Sequence, residues 1–204
     1  MKSLKSVVSA AALALFVSFS ASAEKTLKES SYKVDAKSSS LNWNGKKVGG
    51  EHSGTIQLKE GTIKLNGSKL VGGSFIADLN TLVCTDIEDK TYNGKFIGHL
   101  KSDDFFSVDK FPSAKYVVTK VVAKSGNVYD VTGDLTIKGI TKSVTVPVTV
   151  KTTSKGAEAT GTLVVDRSKF DIKYNSKSFF DVNTLGDKLI NDDFTIAFKL
   201  AAAK

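Results

Sequence analysis

Residues 130–151 read DVTGDLTIKGITKSVTVPVTVK, and this stretch restricts the fold more than any other. Val131, Gly133, Leu135 and Ile137 fall on one side of a period of two, with Thr132, Asp134, Thr136 and Lys138 on the other. Past a turn at Gly139, Val144, Val146, Val148 and Val150 alternate with Thr145, Pro147 and Thr149. Alternation on both sides of a short turn marks a β-hairpin with one apolar face. A sheet with one apolar face must bury it against another element. Pro147 lies on the outward face and has no N–H for a ladder, which predicts an edge or bulged position.

The pattern recurs along the chain. SGTIQLKEGTIKL (53–65) predicts a hairpin turning at Glu60-Gly61, and KLVGGSFIADLNTL (69–82) a strand entered through a double-glycine bend. AKYVVTKVVAKSGNVYDVTG (114–133) turns at Ser125-Gly126-Asn127, while residues 156–172 and 193–202 supply the last strands. About eight strands without β-α alternation predict an all-β antiparallel barrel or sandwich. One stretch differs. In YNGKFIGHLKSDDFF (92–106), Phe96, Leu100 and then Asp103 or Asp104 recur at helical spacing, with Asn93 placed to cap. This predicts one short helix near Asn93–Asp104. It runs into Phe105, Phe106, Phe111 and Tyr116, a large aromatic mass for a helix end and loop. A lone helix in a barrel must bury its apolar stripe, and the barrel mouth is the natural place.

The chain opens MKSLKSVVSAAALALFVSFSASAEK. Lys2 and Lys5 precede an apolar run from Val7 to Phe19, and Ala21-Ser22-Ala23 is a small-x-small cleavage site. Residues 1–23 are therefore expected to be a cleaved secretory signal peptide, leaving 24–204 as a single domain, exported and soluble, in a bacterial periplasm. The chain's one cysteine, Cys84 in LNTLVC, excludes an intramolecular disulfide and reads as a buried, inert thiol. Net charge is +8, and Arg167 is the single arginine among 29 basic residues. Nucleic-acid readout favours arginine, so no nucleic-acid partner is expected. A lysine surface either keeps sheet edges apart or draws the protein transiently to anionic lipid headgroups.

Catalytic chemistry has no visible constellation. His52 and His99 are the only histidines, neither lies in metal-ligand spacing, and no G-x-S-x-G elbow or nucleotide loop occurs. Asp86, Glu88 and Asp89 lack the glycine and distal glutamate of a calcium loop, so a solvated loop is expected. Asp103 and Asp104 are adjacent and do not face each other on a helix. No enzyme, cofactor or metal site is expected, and His99 reads as a packed or capping residue.

Three blocks carry a family resemblance: HLKSDDFFSVDKFPSAKY (99–116), VTGDLTIKGITKSVTVPVTV (131–150) and GTLVVDRSKFDI (161–172). In this order they resemble the YceI-like polyisoprenoid-binding family, from about Tyr32 to Ala201. Two departures stand out. DKTYNGKFIGH (89–99) has no arginine where that family usually carries an arginine-aspartate pair, and Asp171 and Lys173 follow the R-S-x-F turn in place of a glycine-bearing sequence. The resemblance implies an extended lipocalin-like barrel, periplasmic, holding a long isoprenoid chain such as a quinone tail in its lumen.

Alternation is consistent with such a lumen. Phe105, Phe106 and Phe111 are expected to line or close the mouth, with Trp43 pointing inward between two polar neighbours. Phe75, Leu79, Phe96, Leu100 and Tyr116 are further lining candidates, as are Val118, Leu135, Ile137, Val146 and Leu163. Each could equally be ordinary core, because a packed interior and a tunnel select the same residues. Arg167 reads as an ion-pair or carbonyl-binding anchor of its turn. Two functions remain open: a non-catalytic carrier or store for an isoprenoid quinone or polyprenol-like lipid, as monomer or homodimer, and a stress-response or interaction module with a filled barrel that works through its surface loops.

Overall fold

Period-two alternation becomes nine antiparallel strands in the computed structural model, which describes residues 28–153 and 156–203. They are β1 (Glu29–Val34), β2 (Ser40–Lys47), β3 (Gly50–Asn66), β4 (Lys69–Cys84), β5 (Ser113–Ala123), β6 (Val128–Ile137), β7 (Ile140–Thr153), β8 (Gly156–Asp166) and β9 (Ile190–Ala203). The order is β1-β3-β2-β9-β8-β7-β6-β5-β4, and a β3–β4 pairing closes the ring. Both β1 and β2 lie between β3 and β9, so they act as one interrupted strand of a closed eight-stranded barrel. Asp35 makes the interruption: its carboxylate accepts the Lys37 N–H and the Ser38 hydroxyl, and the Ser39 hydroxyl then serves the Ala201 N–H of β9. The expected signal peptide lies outside the described residues, among which no helix is long and apolar enough to cross a membrane.

Several local expectations are corrected. β3 runs straight through Glu60-Gly61, where a turn was expected. Register shifts near Leu58/Glu60 move the buried set from Ile56 and Leu58 to Gly61, Ile63 and Leu65, so a bulge flips the alternation without reversing the chain. The reversal comes at Gly67-Ser68, between the paired Asn66 and Lys69, with Gly67 at φ 62° in the first position of a two-residue hairpin turn. Gly72 and Gly73 sit within β4 rather than at its entrance. Pro147 lies inside the sheet opposite Asp130, but the β7–β8 ladder begins only at Val148↔Gly161, so its missing N–H costs no bond.

The helix, α1, spans Lys90–Lys101. Its cap is Asp89, which accepts the Tyr92 N–H at 2.7 Å, while the Asn93 side chain donates to the Cys84 and Ile87 carbonyls. The turn expected at Arg167 is a 3₁₀ turn (Arg167–Phe170), and a short second helix, α2 (Val182–Leu185), was not expected. Both long excursions, 85–112 and 167–189, leave and rejoin at the same barrel end as the β2–β3 and β6–β7 turns.

Gly133 shows how tightly this frame is fitted. A Cβ there would lie 2.5 Å from the Tyr116 ring and 2.7 Å from the Val117 carbonyl oxygen. Gly133→Ala is therefore expected to cost about 1–3 kcal/mol, read from the urea midpoint. Adding Tyr116→Ala should not restore wild-type stability, because the backbone clash with Val117 remains.

Candidate functional site

Inward side chains from the strands do not fill the barrel. They enclose a cavity of about 290 Å³, about twice the roughly 150 Å³ apolar cavity that stays dry and binds benzene. All of the expected lining residues except Phe111 face or border it: Trp43 from β2, Phe75 and Leu79 from β4, Phe96 and Leu100 from α1, Phe105 and Phe106 from the loop after it, then Tyr116, Val118, Leu135, Ile137, Val146 and Leu163 from β5 to β8. Phe111 instead packs against the β6–β7 turn, its ring 3.1 Å from where a Gly139 Cβ would stand. Gly139 has φ 74° there, beside Lys138 at φ 50°, and the ring leaves no room for a side chain at Gly139.

The cavity has lining that the sequence reading missed. β9 contributes Phe194, Ile196, Phe198 and Leu200, whose alternation was legible in DFTIAFKLAA. Leu82 was harder to see. In β4 the four residues Leu79–Leu82 stand opposite Ile56 alone, so Leu79 and Leu82 both turn inward despite their spacing of three. The wall is almost wholly apolar. Exposed polar residues border it at the mouth: Lys46, Lys47 and Glu51 of the β2–β3 hairpin, and Asn191 and Asp193 of β9.

Two ring systems hold the wall in place. Trp43 lies over Gly54 and donates its indole N–H to the Val83 carbonyl at 3.0 Å. The Tyr116 hydroxyl lies 3.0 Å from both the Val131 and Val144 carbonyls and donates to either. Burial, with the Asp134 carboxylate adding to it, pushes that hydroxyl up to about 12, so it remains a donor at neutral pH. Beyond the wall, His99 bonds Asp104 at 2.8 Å and stands edge-on to Phe105 and Tyr174. This clip ties the aromatic loop to the 167–189 excursion, and Phe106 stands edge-on to Phe194 at 6.1 Å.

Arg167 is buried where the 3₁₀ turn meets β9. Its Nε donates to the Asn191 carbonyl, Nη1 to Ile172 and Nη2 to Ile190, each at 3.0 Å. Nη2 also lies 3.7 Å from Oδ1 of buried Asp192, whose other oxygen accepts the Ser178 hydroxyl. The guanidinium thus pins the end of the 167–189 excursion to its start.

A second polar cluster stands at the mouth. Asp86 accepts from the Cys84 thiol at 2.9 Å and the Ser53 N–H at 3.1 Å, and pairs with His52 Nδ1 at 2.9 Å. Burial pushes its carboxyl up, but the bonds from Cys84, His52 and Ser53 outweigh that and hold it at about 2. Asp86 is thus no loosely solvated loop acid, and Cys84 is buried but bonded.

Two outcomes follow from these clusters. Arg167→Ala removes the donor from three carbonyls and leaves buried Asp192 without its cation, so a loss of about 3–5 kcal/mol is expected in urea unfolding. Arg167→Lys should recover only part of it, since an ammonium cannot reproduce the fork. For Asp86 the folded value lies below the roughly 3.9 of an unfolded aspartate. Its contribution is full above about pH 4 and is lost as pH falls from there toward about 2. The stability gap between wild type and Asp86→Asn should therefore narrow over that window, measured as urea midpoints at successive pH values.

Known proteins share this fold. The structure superposes on BcnA of Burkholderia cenocepacia with a TM-score of 0.67 at 27% identity, over 83% of this chain and 99% of that one. It matches a polyisoprenoid binding domain from Saccharophagus degradans, implicated in plant cell wall breakdown, with a TM-score of 0.60 at 16% identity, over 84% and 97% of the two chains. At that identity the likeness shows the fold alone. A UPF0312 protein of Pseudomonas syringae pv. syringae is 33% identical over 103 residues, 50% of this chain and 49% of the relative. One from Shewanella denitrificans is 50% identical over 48 residues, 24% of this chain and 25% of the relative. The matched stretches thus span a quarter to about half of these curated relatives. Residues 32–202 match the YceI-like domain, and the chain belongs to the YceI-like family.

Proposed function

We propose that the protein is a non-catalytic carrier or store for a polyisoprenoid amphiphile, an isoprenoid quinone or polyprenol-like lipid, held in the barrel cavity. The observation that carries this reading is a cavity of about 290 Å³ with an almost wholly apolar wall. At roughly 24 cal/mol per Å³, filling it recovers packing on the order of 7 kcal/mol. Each isoprene unit brings about 3–4 kcal/mol gross, at about 0.8 kcal/mol per CH₂. A barrel filled by its own side chains would leave no such room. Family membership and the name of the Saccharophagus degradans neighbour as a polyisoprenoid binding domain support the ligand class.

The start of the chain supports export to the periplasm, where such a carrier would meet two bounding membranes. A lysine-rich chain of net charge +8 favours transient contact with an anionic membrane surface. A second reading, an interaction module acting through its surface, draws on Phe179, Phe180 and Val182, which are 44%, 50% and 53% exposed within the 167–189 excursion.

The test is to express the full chain in a bacterium, purify it without detergent and analyse an organic-solvent extract by mass spectrometry. A stoichiometric isoprenoid is expected. It should diminish in Phe106→Asp with the circular dichroism spectrum unchanged, and in Leu163→Trp, which fills the cavity while keeping it apolar. A clean extract together with no uptake of added quinone or polyprenol would overturn the carrier reading.

A further inference from the structure

The cluster at the mouth holds three kinds of metal donor: an imidazole, a thiol and a carboxylate. His52 Nδ1, Cys84 Sγ and the Asp86 oxygens all lie within 4.8 Å of one another. His52 comes from the start of β3, Cys84 from the end of β4 and Asp86 from the loop that follows, so no spacing along the chain reveals the group. We propose that His52, Cys84 and Asp86 form a binding site for a thiophilic divalent cation of the zinc type.

The supporting bonds place the donors before any ion arrives. Gly54↔Cys84 pairing sets β4 beside His52, and the Thr85 N–H donates to the Ser53 carbonyl at 2.9 Å. The Asn93 amide holds the Cys84 and Ile87 carbonyls, fixing the loop on both sides of Asp86. The His52 ring packs on Phe96 with centroids 4.6 Å apart. Donor bonds of about 2.0–2.3 Å in a tetrahedron separate the ligand atoms by roughly 3.5 Å. The observed separations of 2.9 Å within the hydrogen bonds and at most 4.8 Å across the group bracket that value.

Binding is a proton exchange at these same contacts. The Cys84 thiol proton leaves to solvent, the His52 proton resides on Nε2, and the cation takes the place of the two hydrogen bonds to Asp86. A thiolate with an imidazole selects zinc-type ions over calcium or magnesium, which take oxygen donors. Three protein ligands leave a fourth position for water.

Cobalt(II) is the probe, titrated into the reduced full-length protein. One equivalent should bind with a thiolate-to-cobalt charge-transfer band in the near ultraviolet, and zinc should bleach it. Cys84→Ser should abolish the band. His52→Ala, at a ring that is partly exposed and so tolerant of change, should weaken binding by more than the roughly 10–100-fold typical of outer-shell losses. His99→Ala should leave it unchanged. Absence of the band in the folded wild type at millimolar cobalt, or a band and affinity indifferent to His52→Ala, would overturn the site. Neither result depends on whether lipid is bound.

Discussion

Two seams in the barrel wall are not zipped by strand pairing, and the chemistry of the molecule gathers along them. β4 pairs with β5 only from Ser74 to Asp78, and β7 with β8 only from Val148 to Thr153. Backbone groups along the remaining edges still need partners. Across the first seam, the Leu79 N–H donates to the Pro112 carbonyl and the Lys101 ammonium to that of Asn80. Trp43 and Asn93 bond the carbonyls of Val83 and Cys84. Near the second, Tyr116 reaches the Val144 carbonyl. Long side chains thus stand in for strands, and the wall can bow out around a space without exposing orphaned polar groups. The aromatic stretch after α1 covers the same end: Phe105 is buried against Leu135, Ile137, Val165, Phe170 and Ile172.

Such a wall has consequences for selectivity. Buried apolar area is non-directional, so for the proposed lipid the interior would select on length and girth rather than on the polar end. Discrimination among headgroups would fall to the polar border lined by Lys46, Lys47, Glu51, His52, Asn191 and Asp193. Lys46 and Glu51 are paired at 3.4 Å, and Asp193 offsets Lys47 in sum, so the lysines and carboxylates of that border balance.

Much of this was legible in the sequence, and the failures have a common cause. β6, β7 and β9 keep strict alternation, and their inward sets, Val131 to Ile137, Val146 to Val150 and Phe194 to Leu200, follow from a period of two alone. β3 and β4 break it with bulges. A flip of parity at Leu58/Glu60 resembles a turn on paper, and the four-residue excursion at Leu79–Leu82 hides Leu82 from any count by twos. The cap of α1 was misplaced because Asp89 and Asn93 are both good capping residues, and only the positions of the Cys84 and Ile87 carbonyls decide which is used elsewhere. The size of the cavity was not legible, because packed and open interiors ask for the same side chains. Nor was the meeting of His52 with Cys84 and Asp86, which depends on the β3–β4 register.

That register links the mouth cluster to the cavity wall. Asp86 lies three residues before the Asp89 cap, so its bonds to His52 and the Ser53 N–H help fix where α1 begins. α1 in turn presents Phe96 between the His52 ring, at 4.6 Å, and the Trp43 ring, at 6.5 Å. Trp43 is held to the Val83 carbonyl, one residue before Cys84. The polar cluster and the aromatic wall are therefore two faces of one short piece of chain. His52, bonded to Asp86 and packed on Phe96, is the residue through which the polar cluster touches the apolar wall.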